Sequence, residues 1–405
     1  MNIVFGVIVG FIILMLLVVA HEFGHFIAAR RNGVEVEEFG IGFPPRAKAW
    51  IKVDGKWKKL PKSEWGKPQK TLIFSINCLP IGGFCSMKGE SDSDRRPHSF
   101  GAASFWAKTK ILFAGVTMNW LVAFAILTIL SWTGMPEFME NQFIMPGDTT
   151  ISAATVSVKE VIEASPAQKA GFKSGDVLIS GYTKSNSADD ITIFYTASDI
   201  INFNKEHPGE AATYFVSRDH ENLEIKATLN NADAEYLLGV TMSQDGQALY
   251  HSTWSAPIVA AANTVQLTGE TYRGLASMVG SFFSGVAKQF SADESTRTEG
   301  QSQIQAAGDS VSGPVGIIGV LFPNSVAAGP TTLAFLAAII SISLACMNVL
   351  PIPALDGGRF TLIALFKLLR KKLTKEIEEK IVSRAFIFLL ILIALVTVLD
   401  ITRFF

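Results

Sequence analysis

MNIVFGVIVGFIILMLLVVAHEFGHFIAARR, residues Met1–Arg31, carries an uncharged run straight into a cluster of two histidines and a glutamate. About 20 helical residues rise roughly 30 Å, the thickness of a hydrocarbon core, so the stretch predicts a membrane span. It has neither the basic start nor the small-x-small site of a cleaved signal peptide. The cluster, His21-Glu22-Phe23-Gly24-His25, reads HExxH. Residues four apart share a helix face, so the two imidazoles can hold one zinc ion while Glu22 reaches a water there as general base. The bland alternative is a pair of histidines buried in a helix bundle. Ionisable groups inside a span cost about 2.5–3.5 kcal/mol on insertion scales and are normally paired or functional, which favours the metal. His98, His207, His220 and His251 fall in loops and have no such claim.

Working outward, the 405 residues are 49% hydrophobic and 18% charged, with a mean hydropathy of +0.32. That balance excludes disordered, collagenous and nucleic-acid-binding chains. Ile111–Trp132 and Thr331–Pro353 are uncharged, and apolar Ala385–Leu399 extends through Asp400 to Phe405. The expected fold is a polytopic α-helical membrane protein with four transmembrane helices, at 1–29, 109–132, 331–353 and 383–405. The formal net charge of −1 conceals their orientation. Sixteen Lys/Arg face eight Asp/Glu between Ala28 and Lys110, ten face twenty-two between Thr133 and Pro330, and six face three between Phe360 and Ile381. The positive-inside rule puts the two basic segments in the cytoplasm and the acidic segment, with both termini, outside. Cys78, Cys85 and Cys346 match no disulfide or zinc-site pattern.

The loops subdivide. Residues 30–108 read as a cytoplasmic, membrane-associated β-rich loop. Glu35–Ile41 and Ala47–Val53 alternate like strands, and Thr71–Ser86 is apolar and broken by Pro80 and Gly82–Gly83, the pattern of a hairpin. Residues 151–240 contain VIEASPAQKAGFKSGDVLISGY (Val161–Tyr182), which resembles a PDZ domain, a module that binds extended peptides at a sheet edge. A small α+β spacer without a ligand is the alternative. Residues 241–330 form an extracytoplasmic helical connector: Ser255–Phe290 has helical spacing, Ser291–Ser310 is polar and loop-like, and SGPVGI (Ser312–Ile317) leads to the third span. Residues 354–382 form a second cytoplasmic segment.

A catalytic zinc takes three protein ligands and leaves a fourth position for water. The carboxylate placed to complete the set is Asp356 in NVLPIPALDGGR (Asn348–Arg359), at the cytoplasmic end of the third span, where His21 and His25 also lie. Pro351 and Pro353 break the helix, and Gly357–Gly358 is expected to turn the carboxylate inward. A simple helix cap is the competing role.

HEFGH, ARRNGVEVEEFGIGFPPR, GGFCSMKGE (Gly82–Glu90), SGPVGI and NVLPIPALDGGR occur in order over nearly the whole chain. Together they resemble the site-2 protease family of intramembrane zinc metalloproteases, and most closely its bacterial regulators of sigma-E-type signalling. The resemblance implies Zn2+ held by His21, His25 and Asp356, with Glu22 as catalytic base. It implies substrate contacts at Asn348 and Pro351, and a membrane-associated hairpin, Gly82, Gly83, Phe84, Cys85, Ser86 and Met87, presenting an edge to an unwound helix. It also implies a bacterial inner-membrane location, with the active site near the cytoplasmic side. The implied substrates are transmembrane helices of single-span proteins, such as pre-trimmed anti-sigma factors or signal-peptide remnants, with the PDZ domain as a size filter. Ala114-Gly115 and Asn119 match the family's second-span pattern AGPxxN, but Val116 replaces proline, and Cys85-Ser86 replaces the commoner Val-Lys. An inert receptor whose PDZ domain senses peptides and a zinc transporter with a midplane HxxxH site are the rivals. The second needs polar groups lining a path through several spans, and spans two and four offer almost none beyond Asn119.

Overall fold

The computed structural model describes residues 3–404 except 54, 66, 68, 70, 140, 184–190, 292 and 310–312, so Ser312 of SGPVGI lies outside the described residues. The chain divides into two compact units, 1–128 with 260–405, and 129–259.

In the first unit, α1 (Ile3–Arg31) contains HExxH at its basic end. The loop after it is a twisted antiparallel sheet of β1 (Val36–Val53), β2 (Lys56–Lys59) and β3 (Ile73–Met87). β3 folds back on itself around β1. Phe39 is paired with both Phe74 and Cys85, and Ile41 with both Ile76 and Gly83. The arm 83–87 is therefore an outer strand, with β1 on one side and no other strand paired to it among the described residues. Asn77 holds the bend by donating to the Gly42 carbonyl at 3.0 Å. The buried side chains Phe26, Val36, Phe39, Cys85 and Met87 join this sheet to α1. The second long apolar helix, α2, spans Phe105–Thr133.

In the second unit, the six-stranded sheet comprises β6 (Thr155–Val161), β7 (Val177–Thr183), β8 (Thr192–Ile193), β9 (Ala211–Arg218), β10 (Glu221–Thr228) and β11 (Val240–Asp245). Its order is β10-β9-β7-β6-β11, with β8 on β7. A small sheet joins β4 (Met135–Pro136), β12 (Leu249–His251) and β5 (Thr150–Ser152). Two short helices cover the larger sheet. Ser165 caps α3 (Pro166–Ala170), which ends at Gly171 with φ 88°, a left-handed value glycine adopts without strain. Thr196 and Asp199 form a capping box on α4 (Ala197–Glu206). Tyr214, Val156, Val216 and Ile200 are fully buried between them.

The chain returns through α5 (Ala256–Gln289), a single helix. The expectation of a loop at 291–310 is corrected: α6 (Glu294–Asp309) is a helix. Its polar sequence hides no apolar stripe. It is held instead by the Asp293 carboxylate accepting from Thr296 N–H at 3.2 Å, by the Lys288–Glu299 ion pair at 2.5 Å, and by close approach at Gly285 and Gly300. The apolar helix α7 (Pro314–Ala328) follows, with a π-helical middle at Ile317–Leu321. It lies against α1, where a side chain on Gly6 or Gly10 would strike Pro323 or Phe322. The last three helices are α8 (Pro330–Val349), α9 (Asp356–Leu368) and α10 (Lys375–Phe404).

α1, α2, α8 and α10 are each long and apolar enough to cross a bilayer. Much of their outward surface is exposed and apolar, for example Ile3, Phe5, Phe386 and Phe388. Such continuous apolar exposure suits lipid rather than water.

Candidate metal centre

α1 presents His21 and His25 from one face, and α9 begins at Asp356. The Nε2 atoms of His21 and His25 lie 3.0 and 3.2 Å from Asp356 Oδ2, and 3.2 Å from one another. Both imidazoles are buried. Atoms this close share either a proton or a metal ion, and two nitrogens with a carboxylate oxygen form a zinc donor set. His25 Nδ1 donates to the Ile111 carbonyl at 2.8 Å, which leaves Nε2 as the free lone pair a metal requires. For His21 the corresponding neighbour is Asn119, whose amide stands 3.4 Å from Nδ1. Asn119 Oδ1 is buried without a hydrogen-bond partner among the described residues. Turning this amide end for end sets the orphan oxygen against Nδ1–H and frees His21 Nε2 as well. The residues present fit the ion.

The helix packing leaves room for these ligands and little else. A side chain on Gly24 would strike the Ala114 carbonyl, so α1 and α2 meet backbone to backbone. A methyl group on Gly115 would lie 2.5 Å from His25 Nε2 and 2.6 Å from His21 Nε2. Neither Gly115 nor Asn119 was given a role by its place in the second-span pattern. Asn119 was nevertheless visible as an amide in an otherwise apolar span. Gly115 stood out only as a member of that pattern, because its importance depends on which helix it meets.

The structure corrects two local expectations. The third span leaves the helix after Val349, so 350–353 belongs to a turn rather than to the span. Gly357 and Gly358 adopt no positive φ. Their need for glycine is steric: a side chain would run into the Val349 and Ile352 carbonyls of that turn. Leu355 is the N-cap of α9 and no side chain caps it, so Asp356 does not serve as the cap.

Glu22 and Asn348 line a cavity of about 170 Å³ with Val18, His21, Asn119 and Leu344. The Cys85 backbone N–H is directed at the Glu22 carboxylate. The arm Gly82–Met87 runs beside α1, with Gly83 against Val19, but does not line the cavity. Pro351 is exposed in the turn after α8 and does not line it either.

An imidazole pair and a carboxylate on apolar helices, with a glutamate beside the first imidazole, is the donor chemistry of a membrane metallopeptidase. The sequence pattern of Peptidase family M50 matches residues 9–393, and the chain belongs to that family, the site-2 proteases. Zinc is the metal of these enzymes, and the protein is a zinc metalloprotease of the membrane. A protein of Clostridium perfringens, provisionally named a zinc metalloprotease, is 27% identical over 387 residues, covering 95% of each chain. A similarly named protein of Fusobacterium nucleatum is 28% identical over 402 residues, covering 98% of this chain and 99% of its own. The chloroplastic membrane metalloprotease ARASP of Arabidopsis thaliana is 28% identical over 382 residues, covering 92% of this chain and 73% of its own.

Proposed function

We propose that the enzyme hydrolyses peptide bonds within transmembrane segments of single-span membrane proteins, with His21, His25 and Asp356 as zinc ligands and Glu22 as general base. The observation that carries this reading is the convergence of the two Nε2 atoms and Oδ2 within 3.2 Å at the ends of apolar helices, with Glu22 on the adjoining cavity wall. When bound, zinc supplies Lewis-acid polarisation of the scissile carbonyl and brings the pKa of water to about 7. Glu22 takes a proton from the attacking water and returns it to the leaving amine. The Ile111 carbonyl and the Asn119 amide hold the imidazoles in the tautomer that points Nε2 inward. Asn348 offers an amide to the substrate backbone in the same cavity.

A helical substrate has its carbonyls tied up, and unpaired backbone groups are costly in lipid. The outer arm 83–87 answers both problems. Its open edge can pair with an unwound segment as an added strand, beside Val19 and three residues from Glu22. The charge asymmetry of the loops supports an orientation in a bacterial inner membrane with the site near the cytoplasm and the acidic unit and termini outside. The six-stranded unit with its two helices suits a PDZ domain at 151–240, acting as a filter that admits substrates with trimmed ectodomains.

The test is purified protein with a single-span helix in detergent. Cleavage is expected from the parent enzyme and not from Glu22→Gln. Cleavage that survives that substitution, or survives chelation, refutes the reading.

A further inference from the structure

A second cavity, of about 740 Å³, lies apart from the metal centre, bounded by residues 92–108 and 363–376. Its walls carry Arg95, Lys108, Lys367, Lys371, Lys372 and Lys375 against only two carboxylates, Asp92 and Glu376. Asp92 is already committed to an ion pair with Lys108. Lys367 Nζ stands 3.9 Å from the centre of the Phe105 ring, and Arg95 donates to the Gly101 carbonyl at 2.6 Å, so part of the wall is held in place. The floor is apolar, from Phe105, Ile363, Phe366 and Leu373. The α9 carbonyls that end near it are satisfied by the Leu369, Arg370 and Lys371 N–H groups, with Arg370 at φ 54°. The turn therefore adds little negative charge to the cavity.

We propose that this cavity binds the phosphate headgroup of an anionic phospholipid. An excess of lysines and arginine with few competing carboxylates attracts a phosphate. What selects a lipid over a free anion is the rim. Trp106, Leu368 and Leu369 flank the basic side chains in sequence, and are 70%, 79% and 53% exposed. A water-soluble anion has no use for such residues, whereas acyl chains do. The α2 span leaves the cavity at once as an uncharged run from Ile111, while α10 starts at Lys375 on the cavity wall and turns uncharged only from Ala385, so one span end lies at the cavity. A headgroup in the cavity would have its chains running along α2, with lysine stems reaching to the interface. The orientation proposed above assigns the site to the cytoplasmic leaflet; the site itself does not depend on that orientation.

The test uses the full chain in neutral detergent, titrated with phosphatidylglycerol or phosphatidylcholine of equal chain length and read by native mass spectrometry. Phosphatidylglycerol should be retained in preference. Lys367→Gln/Lys371→Gln/Lys372→Gln should weaken that retention roughly 100-fold, at about 1 kcal/mol for each interfacial charge. Lys52→Gln/Lys56→Gln/Lys58→Gln, on the sheet, should leave it unchanged. Inorganic phosphate at equal concentration should not compete. Equal retention of both lipids, an unaffected cavity variant, or displacement by inorganic phosphate would each overturn the proposal. If the cavity variant does not melt as a folded protein, the preference of the parent protein and the phosphate competition decide the matter.

Discussion

Asp356 and Asp400 are both aspartates at or within membrane helices of one unit, and their partners set them apart. Asp356 Oδ2 faces two imidazole nitrogens, and the carboxylate is partly accessible. Asp400 is 2% exposed on α10. Its Oδ1 accepts from the Gly313 N–H at 3.1 Å and its Oδ2 from the Gly316 N–H at 2.8 Å. Asp400 thus satisfies the start of α7, a helix end with no side chain of its own to cap it. An ionisable residue in a span is a marker of function only when its partners leave reactivity behind. Imidazoles with free lone pairs do so; backbone donors that consume both oxygens do not.

The largest effect should come from the reactive side of this contrast. Glu22→Gln and Asp356→Asn should each lower turnover of a test helix by about 10²–10⁴-fold, the usual range for a lost acid–base or ligand role, with little change in melting. Turnover near the parent level in Asp356→Asn would place Asp356 with Asp400 as a structural group. Gly115→Ala should be nearly as damaging, because its methyl group must displace both imidazoles. A shift of that size costs about 100-fold in rate. Zinc content by elemental analysis should fall in parallel, and a variant with full zinc and full activity would show that α2 can move aside.

This contrast also marks how far sequence reasoning reaches. HExxH, LDGG and four uncharged runs were legible because each is local: a helical spacing of four, a helix broken by prolines, a length near the thickness of a bilayer. Asp400 was read only as part of the last apolar run, since its partners lie 84 and 87 residues away and belong to a segment without periodicity. Gly357–Gly358 was legible as a requirement but not as its cause, because a steric clash with the preceding turn cannot be told from backbone freedom by composition alone. The α6 helix was hidden because its stability comes from a cap and from contact with α5, not from an apolar stripe. The double pairing of β3 around β1 was likewise out of reach, since register depends on which arms meet.

Asp400→Ala should show the structural side. It strips two buried N–H groups of their acceptors, at about 1–3 kcal/mol each. The melting temperature in detergent should drop, and the protein that remains folded should still cleave. A variant that melts normally and yet is inactive would break the contrast, giving Asp400 a part in catalysis.

The smallest effect comes from a third carboxylate, in the water-exposed kind of fold. Asp176 is fully buried and pairs with Arg218 through contacts of 2.6 and 2.8 Å, while the Lys173 N–H donates to Oδ2 at 2.8 Å. Burial pushes its carboxyl up, but the guanidinium and the backbone donor together outweigh this and hold it below the ordinary aspartate range. A lowered folded value means the unfolded chain takes up the proton first as pH falls. The stabilisation is therefore complete above about 3.9, the ordinary aspartate value, and is lost as pH drops from there through the folded value. Asp176→Asn should cost about 2 kcal/mol near neutrality, discounted because Arg218 is partly exposed. The gap between parent and variant should close in acid. Pepsin cleavage within 155–245 of the full chain, compared between the two proteins at each pH from 4 downward, reads that closure directly. A gap that stays constant would mean that Asp176 acts through packing rather than charge, as Asp400 could not in a medium without water to replace its hydrogen bonds.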